Sequence, residues 1–210
     1  MKLRYRIAAR VINFIWRLLF GFRVNNRENI PEKGGVIVAS NHLTNYDPLL
    51  VGAAIWKREA FFFAKEELFI INPFYSWLLK YFNAYKVSRT GIDKTAIRHT
   101  EELLKKGLCV IMFPEGTRSL KGVLLNAKPG VGFIAARTNV PVIPAYIHGV
   151  NFSLIAQFLR KVKPRVIFGK PIYPDMFKGK IRERADAISQ EIMQSIRALS
   201  EETRISMNHG

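Results

Sequence analysis

The sequence has 210 residues, of which 49% are hydrophobic and 23% charged, which suits one globular domain with a substantial core. Its 33 basic and 16 acidic residues give a net charge of +17, which predicts an anionic partner such as phosphate groups, a membrane surface or nucleic acid; the alternative is a charge excess that serves only solubility. The single cysteine, Cys109, lies in an apolar segment and excludes both a disulfide framework and a cysteine metal site.

The basic residues are concentrated in two segments. Residues 1–27 contain seven basic residues and no acidic one, and residues 116–174 contain nine basic residues and no acidic one. We therefore expect an anion-facing surface that draws on both segments.

The first predicted element is a helix over residues 3–24, in which Arg6, Arg10, Asn13 and Arg17 fall on one stripe. Its longest run without a charge is six residues, whereas a membrane-spanning helix needs roughly 20 mostly apolar residues. The features of a signal peptide are not visible either. We expect an amphipathic helix that lies in the membrane interface. The alternative is a helix that packs its apolar side on the domain.

Predicted strands and helices alternate along the rest of the chain. Strands are predicted at 36–40, 61–64, 84–88, 108–113, 140–147 and 165–169, and helices at 48–56, 66–82 (interrupted by Pro73), 94–106, 130–137 and 181–203. Two prolines, Pro141 and Pro144, predict an edge position or an irregular path for their strand. The alternation predicts an α/β fold with a largely parallel central sheet flanked by helices. We expect residues 1–27 to be a membrane-associating helical segment and residues 28–206 to be the main domain.

Chemically suggestive residues follow three of these strands. His42 and Asp47 follow the first strand, Arg89 follows the third, and Glu115 and Arg118 follow the most apolar one. The carboxyl ends of parallel strands lie at one edge of a sheet, where active sites form, so these side chains are expected to converge on one cleft.

A histidine oriented by a carboxylate has the properties of a general base. No serine or cysteine nucleophile lies at a recognisable elbow, so His42 is expected to act on a hydroxyl of the substrate itself. Arginine is suited to binding phosphate; alternatively, Glu115 and Arg118 pair with each other or with Arg89. His148 is a weaker site candidate. No spacing of ligand residues predicts a metal site.

Four sequence blocks resemble the motifs of one enzyme family. Asn41-His42 with Asp47 resembles the NHxxxxD motif of the glycerolipid acyltransferases, the family of 1-acylglycerol-3-phosphate acyltransferases, and residues 113–119 match its FPEGTRS block. Residues 87–89 and 140–145 resemble its second and fourth blocks, although Val87-Ser88 precedes Arg89 where the family often has an Ile-Asp pair. The blocks occur in the family's order over residues 36–147.

The resemblance implies transfer of a fatty acyl group from acyl-carrier protein or coenzyme A to the sn-2 hydroxyl of 1-acylglycerol 3-phosphate, giving phosphatidic acid. It implies that His42 is the base and that Asp47 orients it. Arg89 and Arg118 would bind the phosphate, and Glu115, Gly116 and Thr117 would contact the substrate. It implies no cofactor. The expected location is the cytoplasmic face of the cell membrane, on an anionic surface.

Other functions remain open from the sequence. The alternative acceptors are glycerol 3-phosphate and other lysolipids. A different class would be a basic module that binds a membrane or nucleic acid without catalysis; it leaves Asp47 and Glu115 beside an anion site unexplained, and recognised nucleic-acid motifs are missing. We therefore expect an enzyme with no nucleic-acid partner. The aromatic segment at 66–82 is expected to line an acyl pocket, touch the membrane or pack in the core.

Overall fold

The computed structural model describes residues 3–87, 93–119, 122–150 and 163–208. The strands are β1 (Arg23–Asn25), β2 (Val36–Ser40), β3 (Ala60–Lys65), β4 (Ala84–Val87), β5 (Cys109–Met112), β6 (Val142–His148) and β7 (Arg165–Phe168). The α-helices are α1 (Leu3–Phe20), α2 (Asp47–Ala54), α3 (Pro73–Tyr81), α4 (Lys94–Lys105), α5 (Gly130–Thr138) and α6 (Ile181–Asn208). Short 3₁₀ turns occur at Arg27–Asn29, Glu66–Phe69 and Pro174–Met176.

The seven strands form one sheet in the order β1-β7-β6-β2-β5-β3-β4. The strands β2 to β6 run in one direction, because β2 pairs in parallel with β5 and β6, and β3 pairs in parallel with β4 and β5. β7 is antiparallel to β6, and β1 is parallel to β7. The expected α/β fold with a largely parallel sheet is confirmed, and the carboxyl ends of β2, β3, β4 and β5 share one edge.

Helices cover both faces of the sheet. On β2, Val36 and Val38 face a core formed with α1, α2 and α3, whereas Ile37 and Ala39 face a core formed with α4, α5 and α6. All four side chains are fully buried. A strand buried on both faces reads as a continuous apolar run rather than an alternating one, which is why residues 36–39 contain no polar residue.

The expectation that prolines place residues 140–147 at an edge is wrong, because β6 lies inside the sheet between β7 and β2. The carbonyl oxygen of Pro141 accepts the N–H of Ile37 (3.1 Å), and the carbonyl oxygen of Pro144 accepts the N–H of Gly169 (2.8 Å). Both prolines thus contribute acceptors to their neighbours. Their missing N–H groups do not prevent pairing at those points. The short edge strand β1 was not predicted.

Helix α1 contacts the domain through a narrow face. Tyr5, Ala9 and Asn13 are buried against it, and the side-chain amide of Asn13 donates to the carbonyl oxygen of Ala53 in α2 (3.3 Å). An opposite row of apolar side chains is exposed to solvent: Leu3, Ile7, Val11, Phe14 and Leu18. The alternative, in which α1 packs apolar residues on the domain, thus holds for Tyr5 and Ala9, whereas this second apolar row is left uncovered. No helix within the described ranges is long and apolar enough to cross a bilayer.

Candidate active site

His42 and Asp47 form a hydrogen-bonded pair where the chain leaves β2. The Nδ1 atom of His42 lies 2.8 Å from Oδ2 of Asp47. Asp47 is fully buried at the first position of α2, and its carboxylate also accepts the backbone N–H groups of Leu43 and Thr44 and the Thr44 hydroxyl. These donors fix the position and orientation of the carboxylate. The arrangement favours the imidazole tautomer with its proton on Nδ1, which leaves Nε2 as a base.

Two further contacts fix the histidine and the residue before it. The imidazole of His42 stacks on the Phe113 ring, with centroids 4.0 Å apart. The side-chain amide of Asn41 exchanges two hydrogen bonds with the backbone of Ile147 in β6, at 3.0 and 2.7 Å. The histidine is thereby attached to the ends of both strands that neighbour β2.

Glu115 lies beneath the histidine loop and is 1% exposed. Its Oε1 accepts the backbone N–H of His42 (3.1 Å), and its Oε2 accepts the backbone N–H of Leu125 (3.0 Å). Burial raises the pKa of the Glu115 carboxyl, although the two backbone hydrogen bonds oppose this effect. Ser119 completes the connection by donating its N–H to the carbonyl oxygen of His42 (2.8 Å). Glu115 therefore joins the His42 loop to two parts of the connection between β5 and α5 through backbone amides.

A cleft of about 330 Å³ opens beside His42. Its polar lining includes Thr117 and Arg118, and most of its walls are apolar side chains contributed by β3, β5 and the segment around α3: Phe62, Ala64, Leu68, Leu79, Met112 and Phe113. Apolar walls with a few polar groups are typical of a site for an amphiphilic ligand. The aromatic segment at 66–82 thus lines the cleft with Leu68 and Leu79.

The structure brings most of the predicted site residues together. His42, Gly116, Thr117 and Arg118 line the cleft, with Asp47 behind the histidine and Glu115 beneath it. Arg89 lies outside the described residues, although Val87, at the end of β4, does line the cleft.

His148 and a metal ion were also considered for this site. His148 is not among the side chains that line the cleft. Burial, together with the neighbouring Arg165 cation, lowers its pKa. In the described part of the chain, no three His, Cys, Asp or Glu side chains are grouped so as to hold a metal ion.

Two cations near the site were not predicted from the sequence: Lys65, which lines the cleft, and Lys128. A Cβ placed on Gly116 would lie 2.7 Å from Cδ of Lys128 and 3.2 Å from its Nζ, so the lysine side chain runs directly past this glycine. The backbone N–H of Lys128 donates to the carbonyl oxygen of Pro114 (2.8 Å), which brings the two loops together. The only signal in the sequence was the position of Lys128 in the acid-free segment 116–174.

The same residues lie in a region that matches a known family. The acyltransferase family profile matches residues 21–148, which include both loops of the cleft. The chain belongs to the acyltransferase family. The 1-acyl-sn-glycerol-3-phosphate acyltransferase of Bacillus subtilis is 31% identical to it, over 93% of this chain and 96% of that protein. The enzyme of the same description from Streptococcus pneumoniae is 26% identical, over 92% of this chain and 72% of that protein.

A solved structure agrees with this membership. The crystal structure of the 1-acyl-sn-glycerophosphate (LPA) acyltransferase PlsC from Thermotoga maritima superposes with a TM-score of 0.68 and 27% identity, and the match covers 92% of this chain and 80% of that one. The family expected from the motifs and the expectation of an acyltransferase enzyme are thereby confirmed.

Proposed function

We propose that this acyltransferase moves a fatty acyl group from an acyl thioester, carried by acyl-carrier protein or coenzyme A, to the sn-2 hydroxyl of 1-acylglycerol 3-phosphate, giving phosphatidic acid. The observation that carries the proposal is the Asp47-oriented His42 beside an apolar cleft that also contains Arg118. The relatives' names, which specify 1-acyl-sn-glycerol 3-phosphate, support the choice of acceptor.

The reaction follows from the free ring nitrogen of His42. Nε2 takes the proton of the acceptor hydroxyl while the hydroxyl oxygen attacks the thioester carbonyl carbon, and the buried carboxylate of Asp47 stabilises the imidazolium. As the tetrahedral intermediate collapses, the carbon–sulfur bond breaks and the imidazolium returns its proton to the departing thiolate. General-base help of this kind contributes roughly 10²–10⁴ in rate. Among the described residues, the cleft lining contains neither serine nor cysteine, which supports direct transfer without an acyl-enzyme.

The remaining site residues bind or position the acceptor. Arg118 binds the phosphate with Arg89, and Gly116 and Thr117 contact the headgroup from the same loop. For Glu115, its burial and its two amide contacts support a positioning role for the His42 loop rather than the substrate contact that the motif implies. The apolar walls hold an acyl chain.

The enzyme works on an anionic membrane surface, at the cytoplasmic face of the cell membrane. Support comes from the exposed apolar row of α1 and from a second exposed group around α3: Ile70, Ile71, Phe74 and Trp77, which are 55–77% exposed. The rings of Phe74, Trp77 and Tyr81 follow one another at 6.0 and 5.2 Å, and the Arg4 guanidinium lies over the Tyr81 ring. Helices α1 and α3 thus contact each other at Arg4 and Tyr81. Residues 1–27 act as the membrane-associating segment and residues 28–206 as the acyltransferase domain.

Purified protein, incubated with a labelled acyl donor and a panel of acceptors, tests the proposal. We expect labelled phosphatidic acid from 1-acylglycerol 3-phosphate, with less product from glycerol 3-phosphate and other lysolipids. Failure to acylate any lysolipid would refute it. His42→Ala should lose turnover and still bind vesicles, whereas His99→Ala, at an exposed position of α4, should keep both; a binding module would keep its function in both variants.

A further inference from the structure

The lysine that crosses Gly116 places its charge beside a loop that lines the cleft. The Nζ of Lys128 lies 3.2 Å from the position that a Cβ of Gly116 would occupy. Gly116 and its neighbours Thr117 and Arg118 line the cleft. A long flexible side chain is therefore laid across the backbone of the loop that borders the reacting groups, and its ammonium ends beside that loop.

This arrangement gives Gly116 a second physical requirement. Its φ of +64° already disfavours other residues, and any side chain there would also displace the Lys128 stem. The hydrogen bond from the Lys128 N–H to Pro114 holds the lysine backbone in register with the loop. Both features keep the ammonium beside the Gly116 loop.

Within the described ranges, neither Lys128 nor Arg118 forms an ion pair with a carboxylate. The nearest acidic residue in the chain, Glu115, is buried and accepts backbone amides, and residues 116–174 contain no acid at all. Lys128 and Arg118 thus add two positive charges, without an ion-pair partner among the described residues, to one segment beside the cleft, and such a field favours an anion.

We propose that Lys128 binds the phosphate monoester of the lysolipid acceptor together with Arg118. This inference rests on the proposed function and adds a residue to it. A phosphate monoester carries about −1.5 to −2 charge at neutral pH, which two cations match better than one. Arg118 supplies a planar fork of donors, whereas Lys128 supplies a mobile point charge that follows the phosphate as the headgroup enters.

The variant Lys128→Met tests the inference, because methionine keeps an unbranched stem beside Gly116 and removes the charge. We expect the KM for 1-oleoylglycerol 3-phosphate to rise about tenfold, because one charge-assisted contact is lost. The kcat should change much less. The preference for this acceptor over phosphate-free 1-oleoylglycerol should fall by a similar factor. Lys128→Arg should retain most of the preference.

The matched control is Lys105→Met, which should leave both values unchanged. Lys105 is exposed at the end of α4, shortly before β5 begins, whereas the cleft lies at the carboxyl end of β5. An unchanged acceptor KM in Lys128→Met, or a rise confined to the KM of the acyl donor, would overturn the inference. Direct binding of 1-oleoylglycerol 3-phosphate without donor separates this inference from the proposed function. Weaker binding by Lys128→Met supports the phosphate contact even if the wild-type protein fails to acylate the lipid.

Discussion

The Nδ1 atom of His42 lies 2.8 Å from the Oδ2 atom of Asp47, and that carboxylate has no exposure to solvent. The Asp47 carboxylate also accepts two backbone N–H groups and the Thr44 hydroxyl. Its orientation is therefore set by the loop itself before any substrate arrives. This preorganisation is what allows a single histidine to act as a base at a defined position.

Replacing the carboxylate should uncouple the histidine from its loop. In Asp47→Asn, an amide NH2 group at the position of Oδ2 faces the three donors that this oxygen now accepts, from His42, Leu43 and Thr44. His42 therefore loses its orientation and the carboxylate that stabilises its charged form. We expect kcat to fall by about 10²–10⁴ while the KM of the lysolipid changes little. Steady-state kinetics measure both values, and far-ultraviolet circular dichroism checks that the fold is kept. A variant with wild-type kcat would show that Asp47 does not assist the base.

Glu115 should affect turnover more than substrate binding. In Glu115→Gln, one of the two amide contacts, to His42 or to Leu125, meets a donor instead of an acceptor, and the histidine loop shifts. The loss of one charge-assisted hydrogen bond predicts a fall in kcat of about tenfold to a hundredfold. The KM for the acceptor should stay within roughly threefold of wild type. Glu102→Gln, at an exposed site on α4, is the matched control. A raised KM with an unchanged kcat would instead indicate direct substrate contact by Glu115.

The same carboxyl should make stability depend on pH in a defined direction. Burial raises the pKa of Glu115 in the folded protein, so its ionisation is harder in the folded than in the unfolded state. Its contribution to stability is complete below the unfolded pKa of about 4.3 and is lost as the pH rises through the folded pKa. The free energy of unfolding of Glu115→Gln, relative to wild type, should therefore increase from pH about 4 to pH about 7. Urea titrations at both values measure this difference; a constant difference would contradict the raised pKa.

A single charge on the exposed row of α1 should weaken membrane binding. Phe14 is 64% exposed, so Phe14→Glu leaves the core intact while it places a negative charge where the row would meet an anionic bilayer. We expect reduced flotation with anionic liposomes. Ile205→Glu, at a 57% exposed apolar position on α6, should float like the wild type. Equal flotation of all three proteins would place the membrane contact elsewhere.

A point substitution is more informative here than removal of the helix. Tyr5 and Ala9 of α1 are buried in the core with α2, so a deletion would expose core residues and confuse unfolding with lost membrane contact. Salt gives a further check, because the basic residues of the N-terminal segment contribute an electrostatic attraction that is screened at high ionic strength. The wild-type protein should float less at high salt than at low salt.

The local sequence was sufficient for the elements and for the reacting pair. The predicted strands agree with β2 to β7 to within two residues over the described ranges, because apolar runs and their glycine and proline boundaries are properties of short segments. His42 and Asp47 are five residues apart in the same loop, so their contact also depends on local geometry. Their position after a strand was enough to place them at a sheet edge.

Tertiary structure decided what depends on segments that are distant along the chain. The contact between Glu115 and the His42 backbone spans 73 residues. The positioning role of Glu115 follows from its burial, which cannot be predicted from the residue type. The interior position of β6 depends on the hydrogen bonds that its carbonyl groups accept from neighbouring segments. Which apolar row of α1 is exposed depends on the face of the helix that α2 covers. Lys128 reaches Gly116 only because a loop folds back onto Pro114. Motifs report which groups are present, whereas the free energy of packing and of pairing every buried polar group decides which of them meet.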